Sequence, residues 1–261
     1  RKPQMKRVIT YIMMAILPLC AFAQQSIDER VEALLGKMTI EDKIGQLNQM
    51  DGRRDLDKIK AEVREGTLTS IMNIVDPAVT NELQRIAIEE SPSGIPLLFA
   101  RDVVHGFNTV LPIPLGMAAS WDEALIEAAA HNTALEATER GIRWAFAPMM
   151  DIARDARWGR IAESFGEDTY MSGRLAAAVV RGYQGSSLAE QTSMAACAKH
   201  FVGYGDAEGG RDYNTTSIPP RTLRDVYLPP FKECVDNGCA SIMTSFNDND
   251  GLPSTGNRWL L

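Results

Sequence analysis

The chain has 261 residues, 45% hydrophobic and 23% charged, enough apolar material for one large globular domain or two small ones. Its formal net charge is −7 and its sequence pI about 5.1. No basic stripe is available to neutralise phosphates, which excludes a nucleic-acid partner as the main expectation.

Lys6-Arg7 precede the apolar run "VITYIMMAILPLCAFA". It is short for a membrane span and ends in small residues, the pattern of a secretory signal over residues 1–23, with Met5 as start and residues 1–4 as an upstream extension. Leu19 is too large for a lipoprotein signal at Cys20. Cleavage after Ala23 removes four basic residues and no acids, taking the net charge to −11. The expectation is an exported, periplasmic and acidic protein with no membrane association once cleaved. Cys197, Cys234 and Cys239 then remain; their odd number is no disulfide framework, and no Cys-x-x-Cys pair suggests zinc.

Beyond residue 24, short apolar runs alternate with helical patterns. The runs are "LTSIMNI" (68–74), "IPLLFARDV" (95–103), "WAFAPMMDI" (144–152), "MAACAKHF" (194–201) and "CASIMTSFN" (239–247). They are continuously apolar, as strands buried on both faces of a parallel sheet should be. Thr39-x-x-Asp42 and Ser120-x-x-Glu123 predict capped helices, the second closing at Gly141; a third pattern runs from Asp168 to Gly182. A fourth, from Leu223, meets Pro229-Pro230, which should start a fresh turn or kink it before Asn237-Gly238 ends it. Repeated strand and helix predict an α/β fold. Asp102, Asp151, Lys199-His200 and Asn247 stand at the C-terminal ends of successive runs. That favours a (β/α)8 TIM-type barrel, whose strand ends share one mouth, over an open sheet. About five strands are present, so the barrel is incomplete in this chain.

Candidate site residues follow from those positions. Lys199 and His200 precede a loop with Gly203, Gly205, Gly209 and Gly210. They read either as paired donors aimed into a polar pocket, or as a lysine reaching solvent beside a core histidine. Asp102 is a carboxylate suited to gripping hydroxyls, and with His105 it is too few ligands for a metal site. "MMDIARDARWGRIAESFGED" (149–168) packs acids and arginines around Trp158; most would be loop ion pairs, but an arginine beside an aromatic face suits a sugar. No nucleophile elbow, phosphate loop, zinc-protease motif or dinucleotide fingerprint occurs.

Five stretches in order, "RDVVHG" (101–106), "FAPMMDIARDARWGR" (146–160), "ESFGED" (163–168), "AKHFVGYG" (198–205) and "SIMTSFNDNDGLPSTGN" (241–257), resemble glycoside hydrolase family 3, in particular its periplasmic β-glucosidases. The resemblance implies that residues 24–261 are the N-terminal part of the family's barrel domain. It implies that Asp102, Arg160, Lys199 and His200 hold the hydroxyls of a sugar, with Met243 and Phe246 near the same pocket. It also implies exo-acting hydrolysis of terminal β-D-glucosyl residues by a retaining double displacement, needing no metal or organic cofactor, on β-glucoside oligosaccharides or aryl glucosides. No catalytic residue is expected in this segment: the aspartate nucleophile and the glutamate acid/base are expected beyond Leu261. Val202, Tyr204 and Asn214 depart from the family's β-N-acetylhexosaminidase pattern and leave that loop without a histidine. Asp102 stands where xyloside-acting relatives often carry glutamate; its shorter reach leaves room for a hydroxymethyl group. The alternatives are a β-xylosidase of the same family and a non-catalytic sugar-binding remnant.

Overall fold

A computed structural model describes residues 26–261; the expected signal segment, residues 1–23, lies outside them. Ser26 and Thr39 each form a reciprocal cap with the carboxylate three residues on, Glu29 and Asp42, which starts α1 (Ile27–Leu35) and α2 (Ile40–Gln46). The chain then alternates. β1 (Gln49–Asp51) leads to α3 (Leu56–Glu65) and β2 (Ser70–Met72); α4 (Pro77–Glu89) leads to β3 (Leu98–Arg101). α5 (Pro114–Ala118) and α6 (Glu123–Thr138) precede β4 (Trp144–Ala145), α7 (Thr169–Gln184) precedes β5 (Cys197–Phe201), and α8 (Leu228–Asp236) precedes β6 (Ser241–Thr244).

β1 to β4 pair in parallel, each strand with the next in sequence. Bonds such as Ala145 N to Ala195 O (2.8 Å) and Lys199 N to Pro148 O (3.1 Å) tie β4 and its extension to β5, and β5 pairs in parallel with β6. Parallel strands in sequence order, with helices between them, make an incomplete TIM-type barrel. Among the described residues there are six parallel strands rather than five. β1 escapes sequence reading because its three residues, Gln-Met-Asp, form no apolar run.

Apolar packing accounts for the layers. Ile59 and Val63 of α3 and Leu83 and Ile86 of α4 bury against Ile71 and Phe99 of the sheet; each such side chain contributes about 1.5–3 kcal/mol. α7 is buried most deeply, through Leu175, Ala176, Ala178, Val179 and Val180. It lies so near α6 that a Cβ at Gly182 would sit 2.4 Å from the Glu127 carbonyl. Inside the sheet's curve, Met72, Ala100, Trp144, Phe146, Cys197 and Met243 form a layer drawn from β2 to β6, as barrel interiors require.

Helix boundaries differ from expectation where local chemistry competes. Asp122, not Ser120, caps α6, accepting from Leu125 N at 3.0 Å; the Ser120 hydroxyl turns back to Met117 O. α7 continues past Gly182 and ends at Gly185, whose φ is +57°. Before α8 the helix widens into a π turn at Leu223–Tyr227. Pro229 and Pro230 follow it within α8 and offer no N–H to the preceding turn. The Val226 carbonyl takes the Thr169 hydroxyl instead, at 3.2 Å.

The three described cysteines are free thiols. Burial pushes Cys197 up to about 11 and Cys234 higher still. Because the thiolate is the nucleophile, neither should react with DTNB at pH 8 in the native protein, and both should react in guanidinium. Peptide mapping that finds either labelled within minutes under native conditions would contradict this packing.

Candidate functional site

Consecutive residues of a regular strand point to opposite faces. β5 breaks that alternation: its register against β6 shifts between Lys199, opposite Met243, and Phe201, opposite Thr244. The bulge falls on His200. Its backbone N–H leaves the ladder and donates to Asp151 Oδ2 at 3.1 Å. Lys199 and His200 are thus both buried, and each is held by a carboxylate from a different strand end.

Lys199 Nζ donates to Asp102 Oδ1 at 2.7 Å; the Asp102 side chain, just past β3, remains 49% exposed while that of Lys199 is almost fully buried. His200 Nδ1 bonds Asp151 Oδ2 at 2.9 Å; the Asp151 side chain is fully enclosed and that of His200 keeps 2% exposure. The His200 ring lies edge-on to Tyr204 (5.3 Å between centroids) and tilted against Phe246 (5.6 Å). Arg160 stands over the Tyr204 ring at 5.5 Å. Met243 joins through the backbone register with Lys199 and through the interior layer. Asp102, Lys199, His200 and Phe246 are thus connected around the end of β5, Arg160 reaches them through Tyr204, and Met243 lies in the interior layer opposite Lys199.

Arg160 belongs to a 3-10 turn (Gly159–Glu163) and chelates Glu163 through Nε (2.8 Å) and Nη2 (3.0 Å). Burial works against both charges, but the pairing outweighs it: Arg160 is held above its usual range and Glu163 below its own. Lys199 and His200 also lie on the side that favours the Glu163 carboxylate, after its pairing with Arg160. Trp158 donates from Nε1 to Asp212 Oδ1 at 3.0 Å and packs edge-on to Tyr204 at 5.2 Å. The Tyr204 hydroxyl is buried without a partner at bonding geometry; burial, then the nearby Asp212, push the phenol well above its ordinary range.

The glycine-rich loop is pressed onto this arrangement. A Cβ at Gly205 would lie 2.2 Å from the Ile152 carbonyl, and one at Gly210 would lie 2.8 Å from Trp158 N; only glycine allows those approaches. Beyond β6, Asp250 and Gly251 both take left-handed φ in the turn of a hairpin, β7 (Asp248–Asn249) and β8 (Leu252–Pro253). Bonds from Thr216 N to Asp248 O and from Asp250 N to Thr216 O, each 2.9 Å, fasten that hairpin to the loop before it. Tyr213 and Phe246, 5.0 Å apart and more than half exposed, consequently face solvent side by side.

Several participants escape sequence reading. Tyr204, Tyr213 and Asp212 carry no spacing signal, because loop packing brings them together. Asp151 stands out as the close of an apolar run and Glu163 only as an acid in a charged stretch, with nothing to name His200 and Arg160 as their partners. His105 does not join Asp102, since its Nδ1 lies 3.1 Å from the Leu111 carbonyl. Among the described residues, no three potential metal ligands gather.

The glycosyl hydrolase family 3 N-terminal domain matches residues 39–261. The periplasmic β-glucosidase of Salmonella typhimurium is 39% identical over 236 residues, covering 90% of this chain and 31% of the relative. A β-xylosidase of Formosa agariphila is 32% identical over 245 residues, covering 92% of this chain and 30% of its own. The crystal structure of a β-glucosidase from Listeria innocua in complex with glucose superposes with a TM-score of 0.83 at 37% identity, over 90% of this chain and 35% of that one. The chain spans about a third of the length of the relatives it matches. With its barrel strands and its five motifs in order, the chain belongs to glycoside hydrolase family 3.

Proposed function

We propose that the protein is an exported, periplasmic β-glucosidase that hydrolyses terminal non-reducing β-D-glucosyl residues with retention of configuration. Residues 24–261 would form the substrate-binding part of its barrel domain. One observation supports this reading: Asp102, Arg160 and the adjacent pair Lys199-His200, from three separate segments, approach the C-terminal end of β5 beside aromatic faces. Charged donors and an acceptor beside aromatic faces suit a pyranose, whose hydroxyls both give and take hydrogen bonds.

The nucleophile and acid/base are not proposed among the carboxylates of this rim. Asp102 is tied to Lys199, Asp151 is enclosed against His200, and Glu163 is chelated by Arg160. A retaining pair needs two carboxyl groups roughly 5–5.5 Å apart across the scissile bond, one of them free to attack and the other to give up a proton. None of the three is free in that sense.

Glucoside is preferred to xyloside because Asp102 has the shorter acidic side chain and leaves room for the hydroxymethyl group. The β-xylosidase among the relatives keeps the other reading testable. Aryl β-glucoside hydrolysis by the full-length protein, followed by proton NMR of the released sugar, decides the main claim. β-Glucose should form first. Initial α-glucose, or no turnover of any β-glycoside, would overturn it.

Two substitutions test the roles at the rim. Lys199→Ala removes one charged hydrogen bond, worth about 1.5–3 kcal/mol, so kcat/KM for aryl glucoside should fall about ten- to hundredfold. A loss under twofold would remove Lys199 from the site. Asp102→Glu should lower the ratio of glucoside to xyloside kcat/KM; an unchanged ratio would show that this carboxylate does not read the hydroxymethyl position.

A further inference from the structure

We infer that Asp151 is the positioning residue for His200, fixing both the tautomer and the rotation of the imidazole that meets the sugar. This rests on the glycosidase reading above for its kinetic consequences, but its structural content stands apart. The Asp151 side chain is fully enclosed, so it cannot itself touch a substrate. Its Oδ2 accepts two hydrogen bonds from one residue, His200 N at 3.1 Å and His200 Nδ1 at 2.9 Å. A carboxylate has no N–H to give, so Nδ1 carries the proton whether the ring is neutral or cationic. Nε2 is then the ring atom left for a ligand.

Rotation is set by the same contacts. Two donors converging on one oxygen define the side of the ring that faces Asp151, and Tyr204 and Phe246, themselves 5.6 Å apart, pack against the ring at 5.3 and 5.6 Å. The carboxylate arrives in register because its own segment is stapled to β5: Lys199 N donates to Pro148 O and Met150 N to Lys199 O, at 3.1 and 3.0 Å. The bulge completes the device by freeing His200 N from the ladder. Both hydrogen bonds that the Asp151 side chain makes to the protein go to His200.

Asp151→Asn separates these roles. To keep both N–H bonds the amide oxygen must take the place of Oδ2, which puts its NH2 where no acceptor is available; turned the other way, it confronts two donors with a third. Steady-state kinetics with 4-nitrophenyl β-glucoside on the full-length protein would compare Asp151→Asn, His200→Ala and the double variant. Asp151→Asn should lower kcat/KM about ten- to hundredfold, the range seen when an orienting partner is lost. Added to His200→Ala it should cost nothing further, because the two act through one ring. Single losses that multiply in the double variant, or an Asp151→Asn loss under twofold, would overturn the inference. Nitrogen-15 NMR of the wild-type imidazole, assigned by its disappearance in His200→Ala, provides a test that survives misfolding of the aspartate variant. Protonation at Nδ1 is expected, and a ring protonated only at Nε2 would refute the pairing. Wild-type protein inactive on every β-glycoside would sink the glycosidase reading, while the NMR result would still judge Asp151.

Discussion

A single irregularity in β5 sets the terms for everything at the barrel mouth. Regular pleating would send Lys199 and His200 to opposite faces, one inward and one toward the helices. The bulge at His200 removes that conflict and releases a backbone N–H, which Asp151 takes up. Two neighbouring side chains can then serve one pocket, each oriented by a carboxylate from a different strand end. The cost of burying such groups is offset by pairing; an enclosed lysine or histidine without its acid would be strongly disfavoured.

The scaffold around the bulge is ordinary by comparison. Parallel strands in sequence order, helices packed outside them and a layer of apolar side chains within hold the strand ends in one ring. Loops then add what strands cannot. Gly205 and Gly210 let one loop lie against another, and the β7–β8 hairpin fastens the segment carrying Phe246 to the one carrying Tyr213. Acids, cations and aromatic faces are brought to one rim by backbone packing, and the ion pairs then fix their orientation.

Much of this was legible in the residues, for identifiable reasons. Continuous apolar runs mark strands buried on both faces, so β2 to β6 stand out, while β1 is three residues long and leaves no trace. Polar residues closing successive runs point to a shared mouth, and Asp102, Lys199 and His200 are found there. What pattern reading misses is partnership. Asp151 and His200 are 49 positions apart, and Lys199 and Asp102 are 97 apart; spacing of that order says nothing about contact. The aromatic group of Tyr204, Tyr213 and Phe246 is equally silent, since loop residues carry no periodicity. The misplaced helix cap has a local cause: Ser120 and Asp122 both suit an N-terminus, and the carboxylate won.

Asp102, Arg160 and the neighbouring Lys199 and His200, from three segments, are proposed to cradle one pyranose ring. A crystal structure of the full-length protein soaked with glucose tests it most directly. A glucosyl ring is expected at the barrel mouth, with hydroxyls at hydrogen-bond distance, about 2.7–3.2 Å, from Asp102, Arg160, Lys199 and His200 together. Glucose seated elsewhere, or held there by residues other than these four, would contradict it.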